Sequence, residues 1–142
     1  MGVCIMSING NQKGKRFERT LASKFREYGY TDARRTAQYC GNTGDASDLV
    51  GLPYIHCEAK AQETMRLYDW VDQAKRDAEA NGKGYLPTVY HKKNHCEILV
   101  TMTLDDWMKL YREFETNKAL DEKEGVNDGK IQKHNTACEK NP

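Results

Sequence analysis

The chain has 142 residues and a mass of 16.3 kDa, which fits one domain with a single core. It holds 22 lysine and arginine residues against 21 aspartate and glutamate residues, and this net charge of +1 excludes a strongly basic nucleic-acid coat or an acidic tail protein. No apolar run approaches the roughly 18 residues of a membrane-spanning helix, and residues 1–8 make a poor signal peptide. The five cysteines form no CxxC pair, which favours reduced thiols in the cytoplasm.

Hydrophobic periodicity predicts the order helix, three short strands, helix, two strands, helix. The first helix is amphipathic, because Phe17, Leu21, Phe25 and Tyr28 recur at spacings of three and four. The third strand alternates apolar and polar side chains, which predicts a half-buried strand with one polar face. The predicted elements cover residues 10–28, 33–38, 47–51, 54–60, 66–81, 86–91, 96–102 and 103–114. We therefore expect a mixed α/β fold in a domain of residues 1–116, followed by a polar segment 117–142 that packs little.

The segment from Asp48 to Lys60 carries the most informative chemical pattern. Glu58 and Lys60 share one face of the predicted third strand, and Asp48 comes beside them if the two strands pair as a hairpin. Two carboxylates at one polar face make a hard-oxygen site suited to Mg²⁺. A lysine beside that site can orient an attacking water or stabilise developing phosphate charge. The pattern indicates metal-dependent phosphodiester hydrolysis, and the alternative is a solvated polar strand face.

Around this pattern the sequence resembles the PD-(D/E)xK nuclease superfamily and, more narrowly, the Holliday junction resolvases of archaeal and phage type. The similarity extends from Lys13 to about Tyr111, with Glu18 on the first helix and the segment from Asp48 to Lys60 at its centre. Ser47 stands where the family name has proline. The resemblance implies a restriction-endonuclease-like α/β core, in which helices flank a central mixed sheet of about five strands.

The resemblance also implies an Mg²⁺-dependent endodeoxyribonuclease, with Mn²⁺ as a substitute, that acts as a homodimer on four-way junction DNA. It places this activity in DNA recombination and repair, in the bacterial cytoplasm or in the host cytoplasm if a phage encodes the protein. No membrane and no organic cofactor are expected. The implied catalytic residues are Glu18, Asp48, Glu58, Lys60 and Gln73, and the implied metal ligands are Asp48, Glu58, Glu18 and the carbonyl of Ala59. The alternative for Glu18 is an exposed glutamate that forms an ion pair with a neighbouring basic side chain. The alternative for Gln73 is a solvated helix residue.

Basic residues concentrate near the N-terminus, where residues 1–35 hold eight lysines and arginines against three acids. A basic surface beside a carboxylate site is suited to the DNA backbone, because counterion release drives affinity without reading sequence. The expected DNA contacts are Lys13, Lys15, Arg16, Arg19, Arg34, Arg35, Lys92 and Lys93. His91 and His95 flank a predicted turn without a second ligand pair, so we interpret them as surface histidines.

Two other functions fit the same residues. A related nuclease would act on flaps, ends or duplex DNA, since loops and dimer geometry set substrate choice. A non-catalytic DNA-binding protein would keep the fold and the basic surface. The presence of Glu18, Asp48, Glu58 and Lys60 together favours an enzyme.

Overall fold

A computed structural model describes residues 10–36 and 47–125 of the chain. The elements are α1 (Gly10–Glu27), β1 (Arg34–Arg35), β2 (Leu49–Val50), β3 (Ile55–Ala61), α2 (Leu67–Asn81), β4 (Leu86–Lys92), β5 (Leu99–Thr101) and α3 (Leu104–Glu124). Their order is the one that hydrophobic periodicity predicts. The end of the first predicted strand at residues 37–38 and the C-terminal residues 126–142 lie outside the described residues.

The strands form one mixed sheet in the order β1-β2-β3-β4-β5. The central pair β3 and β4 is parallel, and the other neighbouring strands are antiparallel. Because parallel strands need a long crossover connection, α2 lies between β3 and β4 in the chain. The expected α/β core, with a five-stranded mixed sheet flanked by helices, is confirmed.

Helices α1 and α2 cover opposite faces of this sheet. On one face, Phe17 and Leu21 of α1 pack against Leu49, Cys57 and Tyr90. On the other face, Trp70 and Ala74 of α2 pack against Val89. Phe17, Leu21 and Phe25 of the stripe predicted on α1 thus face the sheet, as expected of an amphipathic helix. The prediction was wrong for Tyr28, which follows the end of α1 and is 82% exposed.

The expectation of a half-buried β3 was wrong, because its polar face is buried as well. His56 and Glu58 are only 1% and 2% exposed, and Lys60 of the same face bonds to α2. Strand alternation correctly assigns the two faces, but it does not reveal that a second helix covers the polar one. This burial sets the chemistry of the candidate site.

His91 also differs from its interpretation as a surface residue, since it is 3% exposed. Its Nε2 lies 2.7 Å from Thr101 Oγ1, and its ring packs 5.7 Å from that of Trp70. His95 is exposed, as expected. Within the described residues, Cys57 is a buried free thiol.

Helix α3 begins within one residue of its predicted start at residue 103 and ends later than predicted. The Thr103 hydroxyl accepts a hydrogen bond from the Asp106 N–H at 3.3 Å, and the helix continues past Phe114 to Glu124. No residue of α3 is buried. The division of the chain at residue 116 falls inside this helix and stays a prediction. Within residues 10–36 and 47–125, no helix is both long and apolar enough to cross a membrane.

Candidate active site

Asp48 lies immediately before β2, where backbone pairing holds it beside β3. Its N–H donates to the Cys57 carbonyl at 2.9 Å, and its Oδ2 accepts a hydrogen bond from the Ala59 N–H at 2.8 Å. The buried Ser47 hydroxyl accepts the Cys57 N–H and donates to the Leu49 carbonyl. Serine in place of the family's proline therefore ties the two strands together at the point where Asp48 enters the site.

Glu58 and Lys60 lie on the face of β3 that α2 covers. The Lys60 ammonium is 3.0 Å from Glu58 Oε1 and donates a hydrogen bond to Gln73 Oε1 at 3.0 Å. Gln73 reaches the site because it lies on the side of α2 that faces the sheet. The structure thus brings Asp48, Glu58 and Lys60 together, as the sequence pattern predicts, and adds Gln73, which the resemblance implies.

Glu18 approaches the site from α1, and both of its sequence interpretations have support. Its Oε2 accepts a hydrogen bond from Arg35 Nε at 2.5 Å, so Glu18 forms an ion pair with a neighbouring basic side chain. Its negative charge also helps to raise the pKa of Asp48, which shows that it lies close to that carboxylate. Arg35, an expected DNA contact, is engaged by Glu18.

The carboxyl groups of Asp48 and Glu58 both have a pKa above the ordinary value. Burial raises the pKa of Asp48 to about 6, with a further increase from the charge of Glu18, against the lowering effect of the Ala59 N–H and Lys60. Burial likewise raises the pKa of Glu58 to about 7, and the charge of Asp48 adds to this effect. Burial, together with repulsion between the carboxylates, therefore outweighs the lowering effect of Lys60 on both pKa values.

His56 and Asp77 belong to the same cluster, although the sequence pattern did not single them out. One ring nitrogen of His56, one carboxylate oxygen of Asp77 and one carboxylate oxygen of Glu58 all lie within 4.8 Å of one another. Asp77 also raises the pKa of both Asp48 and Glu58. Its signal in the sequence is the spacing of four from Gln73, which places both side chains on one side of α2.

The donor set fits a divalent metal. Glu58 Oε2 is buried and accepts no hydrogen bond from the described residues. The Ala59 N–H points to Asp48, and because N–H and C=O of a strand residue face the same neighbour, the Ala59 carbonyl points there too. Carboxylate and carbonyl oxygens are the ligands that Mg²⁺ takes in proteins. Superfamily nucleases generally use such metals.

The expected DNA contacts separate into groups. Lys13, Arg16 and Lys92 line one depression, next to Ala61 at the end of β3. Arg34 lines a second groove, together with His56 near the start of β3. Lys13 additionally forms a surface ion pair with Glu63 at 3.2 Å. These basic residues therefore lie in two separate depressions, and neither depression is lined by Asp48 or Glu58.

Comparison with known proteins gives a family and no individual relative. Residues 9–139 match the family described as "Phage putative PDDEXK endonuclease". No curated protein and no solved structure matches the chain. The match covers most of the sequence and includes the acidic pair, the lysine and the five-stranded sheet that carries them, which accords with a restriction-endonuclease-like fold. The chain belongs to this phage PDDEXK endonuclease family.

Proposed function

We propose that this protein is a metal-dependent, structure-specific DNA endonuclease that resolves four-way Holliday junctions by phosphodiester hydrolysis. The observation that carries the proposal is the meeting of Asp48, Glu58 and Lys60 at the pairing of β2 with β3. Family membership supports endonuclease activity, and the resemblance to resolvases from Lys13 to Tyr111 supports junction DNA as the substrate. We place this activity in recombination and repair in the bacterial cytoplasm, consistent with a phage family.

Asp48, Glu58 and the Ala59 carbonyl would hold Mg²⁺ or Mn²⁺, with Glu18 adding negative charge at the edge of this donor set. When bound, the cation supplies Lewis-acid stabilisation of the negative charge that develops on the scissile phosphate. Burial of these ligands excludes competing water and strengthens their attraction for a cation. The pKa values of Asp48 and Glu58 also predict that metal affinity rises as pH increases through about 7.

Lys60 acts on the attacking water and on the phosphate. Its ammonium is held between Glu58 and Gln73, each at 3.0 Å, which leaves it few alternative positions. A fixed ammonium orients a water for in-line attack on phosphorus and stabilises charge on the phosphate oxygens. Gln73 acts through Lys60 and is therefore a positioning residue.

The homodimer in this proposal is supported by α3. Leu104, Trp107, Met108, Tyr111 and Phe114 recur at spacings of three and four, and each side chain is between 38% and 72% exposed. The rings of Trp107 and Tyr111 stack at 5.1 Å. Such a stripe is unusual on the surface of a monomer. A second copy of the chain is the occupant we propose, because a near-two-fold junction needs paired cuts and a C₂ dimer supplies two sites.

The C-terminal residues 126–142 are a weaker candidate to cover this stripe. Their hydrophobic residues are Val126, Ile131, Ala137 and Cys138, with no aromatic side chain among them. The test is the mass of the protein in solution, by light scattering after size-exclusion chromatography. Trp107→Glu combined with Tyr111→Glu should convert a dimer into a monomer, and Leu120→Glu, on the opposite side of α3, should not. A wild-type monomer, or a double variant that remains dimeric, would reject this interface.

The activity test compares labelled four-way junctions, flaps and linear duplex in Mg²⁺. Wild-type protein should cut the junction symmetrically, while Asp48→Ala and Lys60→Ala should each lose at least about a hundredfold in rate, as expected for groups that stabilise the transition state. Lys75→Ala removes an exposed lysine of α2 and serves as the matched control. Junction binding without cleavage under any divalent metal would support the non-catalytic alternative. Preferential cutting of duplex or flaps would support the other nuclease functions.

A further inference from the structure

The turn between β2 and β3 contains a tyrosine in a conformation that tyrosine disfavours. The Ile55 N–H donates to the Leu52 carbonyl at 3.3 Å, which closes a tight turn with Pro53 second and Tyr54 third. Tyr54 has a φ of 64°, and the third position of a turn with this pattern favours glycine. A residue held against its own backbone preference is an indication of function.

Packing does not explain why tyrosine stands there, since Tyr54 is 75% exposed. Its ring meets that of Tyr85 edge to face, with centroids 6.2 Å apart and planes at 86°. The Lys83 ammonium lies 5.8 Å from the centre of the Tyr85 ring. Tyr85 itself is half-buried, so Tyr54 supplies the exposed ring of the pair. An exposed aromatic ring beside a cation is a combination that proteins use to stack nucleic-acid bases.

The backbone around this tyrosine pair is held in place on both sides. The Tyr54 carbonyl accepts a hydrogen bond from the Leu86 N–H at 2.9 Å, which fixes the turn to β4. Gly51, with a φ of 95°, lies so close to the backbone of Asp32 that a Cβ would overlap it. The turn therefore fixes the backbone from which the Tyr54 side chain extends into solvent.

A groove extends from Tyr85 to His56, the neighbour of Glu58 on β3, although Tyr54 and Glu58 are not among its lining residues. Tyr85, Lys83, Arg34 and His56 line this groove. A ring nitrogen of His56 lies within 4.8 Å of a carboxylate oxygen of Glu58. A DNA strand whose phosphates follow the basic side chains toward Glu58 would thus bring a base to the tyrosines.

We propose that Tyr54 and Tyr85 form a stacking site for an unpaired base of the DNA substrate. This inference rests on the proposed nuclease function and adds a feature of the substrate to it. A base inside a duplex already stacks on its neighbours, so an exposed ring gains most from a base that is unpaired at a branch point or gap. The site would therefore favour DNA with unpaired bases near the cut over continuous duplex.

The test measures binding to a duplex with a short single-stranded gap and to the same duplex fully paired, in EDTA to prevent metal-dependent hydrolysis. Tyr54→Gly suits the positive φ, so its thermal midpoint should equal or exceed that of the wild type. Its affinity for gapped DNA should fall about tenfold, as expected for one lost stacking contact, and its affinity for paired duplex should stay within about twofold. Tyr54→Asn tolerates the same backbone and has no ring, so it should behave alike.

Two further variants separate stacking from general surface effects. Tyr54→Trp should retain gapped-DNA affinity, because its ring also stacks. Tyr28→Ala is the control, because Tyr28 is 82% exposed and lies near Val100 of β5, at the far edge of the sheet. This variant should change the affinity for neither DNA. Unchanged gapped-DNA affinity in Tyr54→Gly, or an equal loss on both DNAs, would overturn the stacking proposal. Wild-type protein that cuts no DNA in Mg²⁺ would instead overturn the nuclease function itself.

Discussion

The two faces of β3 are both buried, yet they hold opposite chemistry. The face toward α1 presents Cys57 and Ala59 to an apolar cluster, and burial raises the pKa of the Cys57 thiol to about 12. The face toward α2 presents His56, Glu58 and Lys60 to Gln73 and Asp77. One strand thus separates a layer that stabilises the fold from a layer that holds charge inside it.

This difference indicates which face of β3 stabilises the folded protein and which face destabilises it. Apolar burial on the α1 side is favourable in proportion to the area removed from water. On the α2 side, burial of carboxylates is unfavourable unless a cation binds them, as the raised pKa values of Asp48 and Glu58 record. Changes on the two faces should therefore have opposite effects on the stability of the metal-free protein.

The largest expected effect is on the apolar face. Leu21→Ala removes a side chain that is 2% exposed and leaves a cavity against the sheet, so the free energy of unfolding should fall by about 2–5 kcal/mol. Urea denaturation measures this change. Leu120→Ala, at a position that is 49% exposed, is the matched control and should cost less than about 1 kcal/mol. Equal losses in the two variants would mean that α1 is not packed as described.

The second effect is a fall in the stability of the metal-free protein as pH rises. The folded-state pKa values of Asp48 and Glu58, about 6 and about 7, exceed the ordinary values of 3.8 and 4.5. The folded state therefore binds protons more tightly at these two groups, so their contribution to stability is fully present below about pH 4 and is lost as pH rises toward 8. We expect these two groups to contribute a loss of about 2–4 kcal/mol, measured by urea denaturation in EDTA across that range. The double variant Asp48→Asn with Glu58→Gln should show a flatter profile, and an unchanged slope would contradict this origin.

The sequence predicts the α1 face of β3 better than the α2 face, for a physical reason. The spacing of Phe17, Leu21 and Phe25 identifies the helix and its buried side directly, because apolar residues have one favourable place. The polar residues of β3 have two favourable places, either in solvent or in a buried cluster. Only the packing of α2 over the sheet decides between these two places. The same ambiguity explains why the burial of His91 under Trp70 was missed.

The end of α3 and the contribution of Asp77 to the site were also not predicted from the sequence. The segment after Phe114 is polar, which suggested a poorly packed tail, but α3 continues until Gly125, whose φ of 70° caps it. A glycine after a run of helix-forming residues is an ordinary end signal. Within the site, the Asp48 to Lys60 pattern gave the carboxylates and the lysine, whereas Asp77 depends on which side of α2 faces β3. Side chains that come from another element are predictable only when that element's orientation is known.

A third effect compares stability with activity in one substitution. Glu58→Gln removes the buried charge while keeping the shape, so metal-free protein at pH 8 should gain about 1–2 kcal/mol in free energy of unfolding. Cleavage in Mg²⁺ should be lost, since the amide is a poor metal ligand. Glu79→Gln makes the same change at an exposed position of α2 and should alter neither quantity. A destabilised Glu58→Gln protein would show that Lys60 compensates the carboxylate fully.

The smallest effect concerns Gln73, which contacts the catalytic lysine from α2. Gln73→Ala removes one of two acceptors for the Lys60 ammonium, so the cleavage rate should fall by about tenfold, equivalent to about 1.4 kcal/mol, the size of one such hydrogen bond. Because Gln73 positions the lysine, the dissociation constant for DNA should stay unchanged while kcat falls. Gln73→Glu keeps an acceptor for the ammonium and should recover part of the rate, and Asp72→Ala, at the neighbouring exposed position, should have no effect. A Gln73→Ala protein with wild-type kcat would show that Glu58 alone is enough to hold Lys60, so that the α2 layer contributes burial but no alignment.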